Sequence, residues 1–147
     1  MNIIRTLLFI LLVGALSFLQ AFGFSVFGVK PNLALAVLIA ISFFIANLWE
    51  GFLLVLLAAL ILKFAPGFEK GILTFSLIAA AGLIVKKYLP WRYFLSNLIL
   101  IGIGTFIFYL FLNPNLIISV IFLKEIVLNL VAGIIIFAFL SFLWENK

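Results

Sequence analysis

The sequence predicts an all-α integral membrane protein: one transmembrane domain, residues 1–147, built as a bundle of six transmembrane helices. Two observations carry this prediction. Hydrophobic residues make up 69% of the chain and charged residues only 9%, whereas about a quarter of residues are charged in soluble domains. Polar and turn-forming residues also divide the apolar sequence into segments near the roughly 20 residues that a spanning helix needs.

The first two segments are separated by a glycine-containing loop. The first is predicted over 4–22, and the loop follows at 23–30. Pro31 and Asn32 open the second segment, because a proline without an N–H costs nothing in the first turn of a helix, and both are candidates for partner contact or for an architectural role. We expect this second segment to end in a tight turn at 47–51, where a tryptophan lies at interface depth.

The third segment, 52–62, is short. Even when it is extended to 50–64 it reaches roughly 22 Å at 1.5 Å per residue, below the hydrocarbon thickness of about 30 Å. It is therefore expected to lie against neighbouring helices, to thin the bilayer, or to rely on Lys63 reaching the interface.

The second half of the chain contains three more spans. The fourth covers 71–85 and leads into a polar loop, and the fifth covers 94–112. The last apolar stretch is too long for one helix and is interrupted by Lys124 and Glu125. We therefore predict a short segment at the outer face, 116–123, followed by a sixth span over 125–142.

The basic residues set the predicted orientation, with both termini inside. Loops rich in Lys and Arg stay on the cytoplasmic side of a membrane. This orientation places the densest basic cluster inside. It divides the nine basic residues into Arg5, Lys86, Lys87, Arg92 and Lys147 inside, and Lys30, Lys63, Lys70 and Lys124 outside.

Composition also narrows the function classes. The chain has no histidine and no cysteine, and its only acids are four glutamates. Catalysis at neutral pH usually draws on His, Cys, Asp or a metal that they hold. We therefore expect no enzymatic activity, no cofactor and no metal. The basic residues are scattered at the ends of apolar runs, which indicates contact with the lipid bilayer and not with nucleic acid.

Polar residues inside apolar segments are the candidate sites. Glu125 and Asn129 are four residues apart and share one helix face. They are expected either to contact another subunit or to hydrogen-bond to neighbouring helices of the same chain. Glu50 is interpreted as part of the turn that Asn47 begins, although it too has the chemistry to face a partner.

A basic cluster on the cytoplasmic side is a further candidate. It comprises Lys86, Lys87 and Arg92. These side chains are expected to contact anionic lipids, at about 1 kcal/mol per basic residue, or to dock a cytoplasmic partner.

Several short motifs resemble the MreD family, small membrane components of the bacterial rod-shape machinery. Val29–Leu33 resembles the family's basic-Pro-Asn-apolar entry to its second span, and Gly51–Leu54 its third-span start. Gly71 leading a span to Lys86–Tyr88, and a closing helix that carries Asn129, are also similar. Many members carry a glycine and an aspartate late in the third span, where this chain has Val and Ala, so that acid's role is not carried over.

The resemblance implies a non-enzymatic scaffold in the bacterial inner membrane. Its expected partners are an MreC-like single-span protein, the RodA glycosyltransferase, a class B penicillin-binding transpeptidase and MreB. The MreD family is in turn similar to the six-helix S-components of energy-coupling-factor transporters, which implies an S-component-like fold. The alternative function is therefore a vitamin-binding subunit of such a transporter, and a third possibility is an unrelated structural membrane protein.

Overall fold

The computed structural model describes residues 3–144, and all regular secondary structure in that range is helical. The prediction of an all-α protein is therefore confirmed for the described residues. Short 3₁₀ turns lie on both sides of the fourth helix and before the sixth. The six α-helices are α1 (Ile3–Ala21), α2 (Leu33–Ser42), α3 (Leu48–Leu62), α4 (Ile72–Val85), α5 (Tyr93–Leu112) and α6 (Val120–Trp144).

Four helical stretches are long and apolar enough to cross a membrane. α2 and α3 are shorter, with 10 and 15 residues, or about 15 and 22 Å at 1.5 Å per residue. The expectation of a short third helix agrees with this, whereas the second helix is much shorter than expected. The four long stretches are Ile3–Ala21, Glu69–Tyr88, Tyr93–Leu112 and Val120–Trp144.

Consecutive helices alternate in direction, so the bundle has two ends. We call the end with Ala21, Leu33 and Leu62 the upper end, and the opposite end, with Ile3 and Ser42, the lower end. Hydrogen bonds between α1 and the start of α2 at the upper end, and between α1 and the start of α3 at the lower end, fix this arrangement.

α2 is the central element of the bundle. It packs against all five other α-helices, and each of its ten residues is buried. A helix that is apolar on every side is typical of such a position, and the alanines at positions 34, 36 and 40 permit close approach of its neighbours. Since α2 lies wholly inside the protein, its unpaired terminal N–H and C=O groups need partners from other helices.

The predicted end of the second segment at 47–51 is wrong. α2 stops at Ser42, whose hydroxyl donates to the carbonyl of Ile39 at 2.6 Å, and Phe44 N–H donates to Ile41 O at 2.8 Å. Asn47 instead caps α3, accepting from Trp49 N–H at 3.0 Å. The turn therefore lies over 43–47, and Glu50 belongs to the first turn of α3.

The predicted break at Lys124 and Glu125 is also wrong, because α6 is one continuous helix of 25 residues. Lys124 is exposed and the Glu125 carboxylate accepts a hydrogen bond from Tyr109, so neither residue disturbs the helix. The chain turns earlier, at the 3₁₀ segment Pro114–Leu116.

Gly133 brings α5 and α6 together. A Cβ at this position would overlap Ile101 Cδ1 of α5, and Ile101 is fully buried. Helices that cross at a glycine approach closely enough for their side chains and backbones to interlock. This contact places the polar residues of α5 beside those of α6.

Candidate functional site

The buried polar residues of the upper end converge on the first turn of α2. Asn129 Oδ1 of α6 accepts from the Asn32 N–H at 2.8 Å, and Gln20 Oε1 of α1 accepts from Ala34 N–H at 2.8 Å. Asn32 itself accepts from Leu35 N–H at 3.2 Å through Oδ1. Three N–H groups at this helix end are thus satisfied by side chains, as a buried helix start requires.

These capping side chains also bond to one another. Gln20 Nε2 donates to Asn32 Oδ1 at 3.2 Å, and Asn129 Nδ2 donates to Thr105 Oγ1 at 3.0 Å. Thr105 in turn donates to the Ile101 carbonyl at 2.8 Å. We call Gln20, Asn32, Thr105 and Asn129 the upper polar network; its members come from α1, the start of α2, α5 and α6.

Glu125 lies one turn above Asn129 and has a separate partner. The Tyr109 hydroxyl of α5 donates to Glu125 Oε2, and Glu125 is 8% exposed. The Tyr109 ring packs edge-on against Phe122, with ring centroids 5.1 Å apart. Glu125 is therefore held by a hydrogen bond beside an aromatic contact between α5 and α6.

Lys86 caps the lower end of α2, as the upper polar network caps its upper end. Its ammonium donates to the carbonyl of Ser42 and, at 3.1 Å, to the carbonyl of Ile45. A cation at a helix C-terminus is also favoured by the helix dipole. Lys86 is partly buried, whereas Lys87 and Arg92 are exposed, so the predicted basic cluster divides into one capping residue and two exposed surface residues.

Glu50 is held by α1. Its Oε1 accepts from Thr6 Oγ1 at 2.8 Å, and Arg5 Nη2 lies 3.8 Å from its Oε2. Glu50 is 8% exposed. The carboxylate therefore joins α1 to the first turn of α3 at the lower end.

The structure thus places the sequence-derived candidates in two groups. Pro31, Asn32, Glu125 and Asn129 lie at the upper end, and Glu50, Lys86, Lys87 and Arg92 at the lower end. The buried candidates at both ends make contacts within this chain. Lys147, expected on the inner side, lies outside the described residues.

Gln20 was missed by the sequence reasoning. It is the only glutamine in the chain and sits at the end of an apolar helix, which is the one signal that singles it out. Thr105 lies within an apolar segment and is not among the candidates that the sequence singles out. The spacing within α5 does not indicate that Thr105 faces Asn129.

A cavity of about 570 Å³ opens beside the upper polar network. Its polar lining includes Gln20, Lys30, Asn32 and Glu125, and its remaining walls are largely apolar. Asn32 is 3% exposed, and within residues 3–144 its Nδ2 has no hydrogen-bond acceptor. We call this space the upper cavity; its apolar lining comprises Ala21, Phe22, Gly23, Pro31, Phe64, Ala65, Pro66, Gly67, Phe68 and Phe108.

Comparisons with family models, curated proteins and solved structures find no match to this chain. The resemblance to MreD and to S-components therefore stays a prediction from the residues. The function has to be argued from the site. Within the described residues no three His, Cys, Asp or Glu side chains come together, and the polar groups serve mainly backbone atoms.

Proposed function

We propose that this protein is a non-catalytic scaffold of the bacterial inner membrane that binds the transmembrane helix of a single-span partner. Following the resemblance to MreD, the partner is an MreC-like protein, and the complex acts in cell elongation with RodA, its transpeptidase and MreB. One observation carries the proposal. Gln20, Asn129 and Lys86 bond to the ends of α2 and Glu50 and Glu125 bond to neighbouring helices, so partner binding is left to packing on the apolar exterior.

We place the partner helix in a lengthwise groove between α4 and α5. The groove encloses about 410 Å³, has Ile39 of α2 at its base and is almost wholly apolar. It extends from Thr74 near the upper end to Leu89 at the lower end. Gly82 and Gly104 lie along it, and small residues permit close approach of a helix. Its length fits a helix better than a compact solute.

The orientation we propose has the upper end outside and all six helices within the membrane. The exposed cations Lys87 and Arg92 then face the cytoplasm, as the positive-inside rule favours. The short helix α2 needs no lipid contact because its neighbours surround it. α3 spans less than the full hydrocarbon thickness and is covered in part by α1 and α4.

Site-specific photocrosslinking in the native host tests this function. A photoreactive residue at Leu77 or Ile103, both exposed in the groove, is expected to crosslink to an MreC-like single-span protein. Ile135 of α6 is the matched control, being 63% exposed and outside the groove. Crosslinks to this partner that are equally strong from Ile135, or absent from both groove positions, would contradict the proposal.

The upper cavity favours a second candidate function, the substrate-binding S-component of a vitamin transporter. It is large enough for a small molecule and has polar groups at one side. This function requires that the protein copurify with the transporter's ATPase module. Recovery of those ATPases without any MreC-like protein would replace the scaffold proposal with this one.

A further inference from the structure

We propose that the upper cavity binds the headgroup of a membrane phospholipid whose acyl chain lies in a groove between α1 and α3. The site is independent of the groove assigned to the partner helix. The inference rests on a cation that lines the cavity, on an unpaired amide within its wall, and on the residues that the cavity and the groove share.

The cavity presents donors suited to a phosphate. Lys30 lies in the loop between α1 and α2, and its ammonium lies near Gly23: a Cβ built on that residue would be 3.6 Å from Lys30 Nζ. Asn32, in the wall of the cavity, has a buried amide nitrogen without a partner among the described residues. Its Oδ1 is occupied by Gln20 and Leu35 N–H, which leaves Nδ2 as the group without a partner in the described chain. An ammonium and an amide bind anionic oxygen atoms strongly.

Glu125 adds selectivity for the headgroup. Glu125 lines the same cavity, and its carboxylate accepts a hydrogen bond from the Tyr109 hydroxyl. A lipid phosphate with no further charge would leave this carboxylate facing an anion. A phosphoethanolamine headgroup instead offers its phosphate to Lys30 and its ammonium to Glu125, so we assign the site to phosphatidylethanolamine.

The cavity adjoins an apolar groove. Ala21, Phe22 and Phe64 line both the upper cavity and a second space of about 390 Å³ between α1 and α3. This groove has no polar surface, and Phe18 and Leu60 on its two sides are 56% and 54% exposed. A headgroup site joined to a lipid-facing apolar groove matches an amphiphile, whereas a soluble ligand would leave the groove unused.

Native mass spectrometry of the delipidated full-length protein tests the site. Phosphatidylethanolamine is expected to bind as a single retained adduct, and diacylglycerol with the same chains at least about tenfold more weakly. Lys30→Met is expected to weaken binding about tenfold, and Ala21→Trp, which fills the junction of cavity and groove, is expected to abolish it. Circular dichroism checks that each variant is folded.

Two matched variants serve as controls. Lys70→Met removes an exposed cation that does not line the cavity, and Ile135→Trp adds bulk to the exposed face of α6; both are expected to bind as the parent does. Equal losses in Lys30→Met and Lys70→Met would overturn the site. Glycerophosphoethanolamine that binds as tightly as the whole lipid would overturn the acyl-chain groove and favour a soluble ligand.

Discussion

The backbone N–H of Asn32 donates to Asn129 Oδ1 at 2.8 Å, although the two residues are 97 positions apart. This bond joins the first turn of the central helix to the middle of the last one. Asn129 is fully buried and also donates to Thr105, so a single side chain connects three helices. The contact makes Asn129 part of the architecture of the bundle.

Replacing Asn129 by leucine is therefore expected to destabilise the protein. Asn129→Leu leaves the Asn32 N–H without an acceptor and removes the donor to Thr105 Oγ1, at a cost of about 1–2 kcal/mol. The free energy of unfolding, measured by SDS titration with circular dichroism in mixed micelles, checks this. Asn115→Leu is the control, because Asn115 is exposed and its substitution should change the free energy little.

The lower end gives a matched pair of lysines. Lys86→Met removes the donor to the Ser42 and Ile45 carbonyls and the cation at the end of α2, so we expect a loss of about 1–2 kcal/mol. Lys87→Met removes an exposed neighbour and should leave the free energy of unfolding nearly unchanged. Equal effects of the two substitutions would refute the capping role of Lys86.

Two glycines on neighbouring helices test the packing of α5 against α6. Gly133→Ala forces Ile101 to move within the core and is expected to destabilise by about 1–3 kcal/mol. Gly102→Ala meets nothing within 4 Å and should be neutral or slightly stabilising. If both variants unfold alike in the same SDS titration, the close approach at Gly133 is wrong.

Tyr109 and Glu125 are expected to be energetically coupled. We expect Glu125→Leu to lower the free energy of unfolding less in a Tyr109→Phe background than in the parent protein. The difference in this double-mutant cycle should be about 0.5–2 kcal/mol. Tyr93→Phe, at a tyrosine that is 69% exposed and remote in α5, provides the uncoupled comparison for Glu125. If the two substitutions change the free energy of unfolding additively, the hydrogen bond between Tyr109 and Glu125 does not contribute to stability.

The fold could be predicted from the sequence where polar residues mark the helix ends. The predicted first, fourth and fifth segments agree with α1, α4 and α5 to within about one residue at each end. The end of α2 could not be predicted, because the apolar run continues through 43–46 without a polar break. The side chain of Lys86 contributes to this helix end, because it donates to the carbonyl of Ser42, 44 residues earlier in the chain.

The site was predicted where it depends on spacing along one helix. Glu125 and Asn129 were placed on one face, and both lie against α5. Their partners on other helices, Tyr109 and Thr105, depend on how α5 and α6 pack, which no local pattern contains. The break expected at Lys124 and Glu125 has the same cause. The charged pair was interpreted as a helix end, but Tyr109 on α5 donates a hydrogen bond to Glu125 and the helix continues.

The burial of α2 has a consequence for biogenesis. α2 has only 10 residues, and a helix of this length is too short to insert across a membrane by itself. Two residues that complete its ends, Lys86 and Asn129, are synthesised only after it. In a chain that stops before α6 the Asn32 N–H would lack its acceptor, so we expect such a chain to be less stable in a membrane than the full chain.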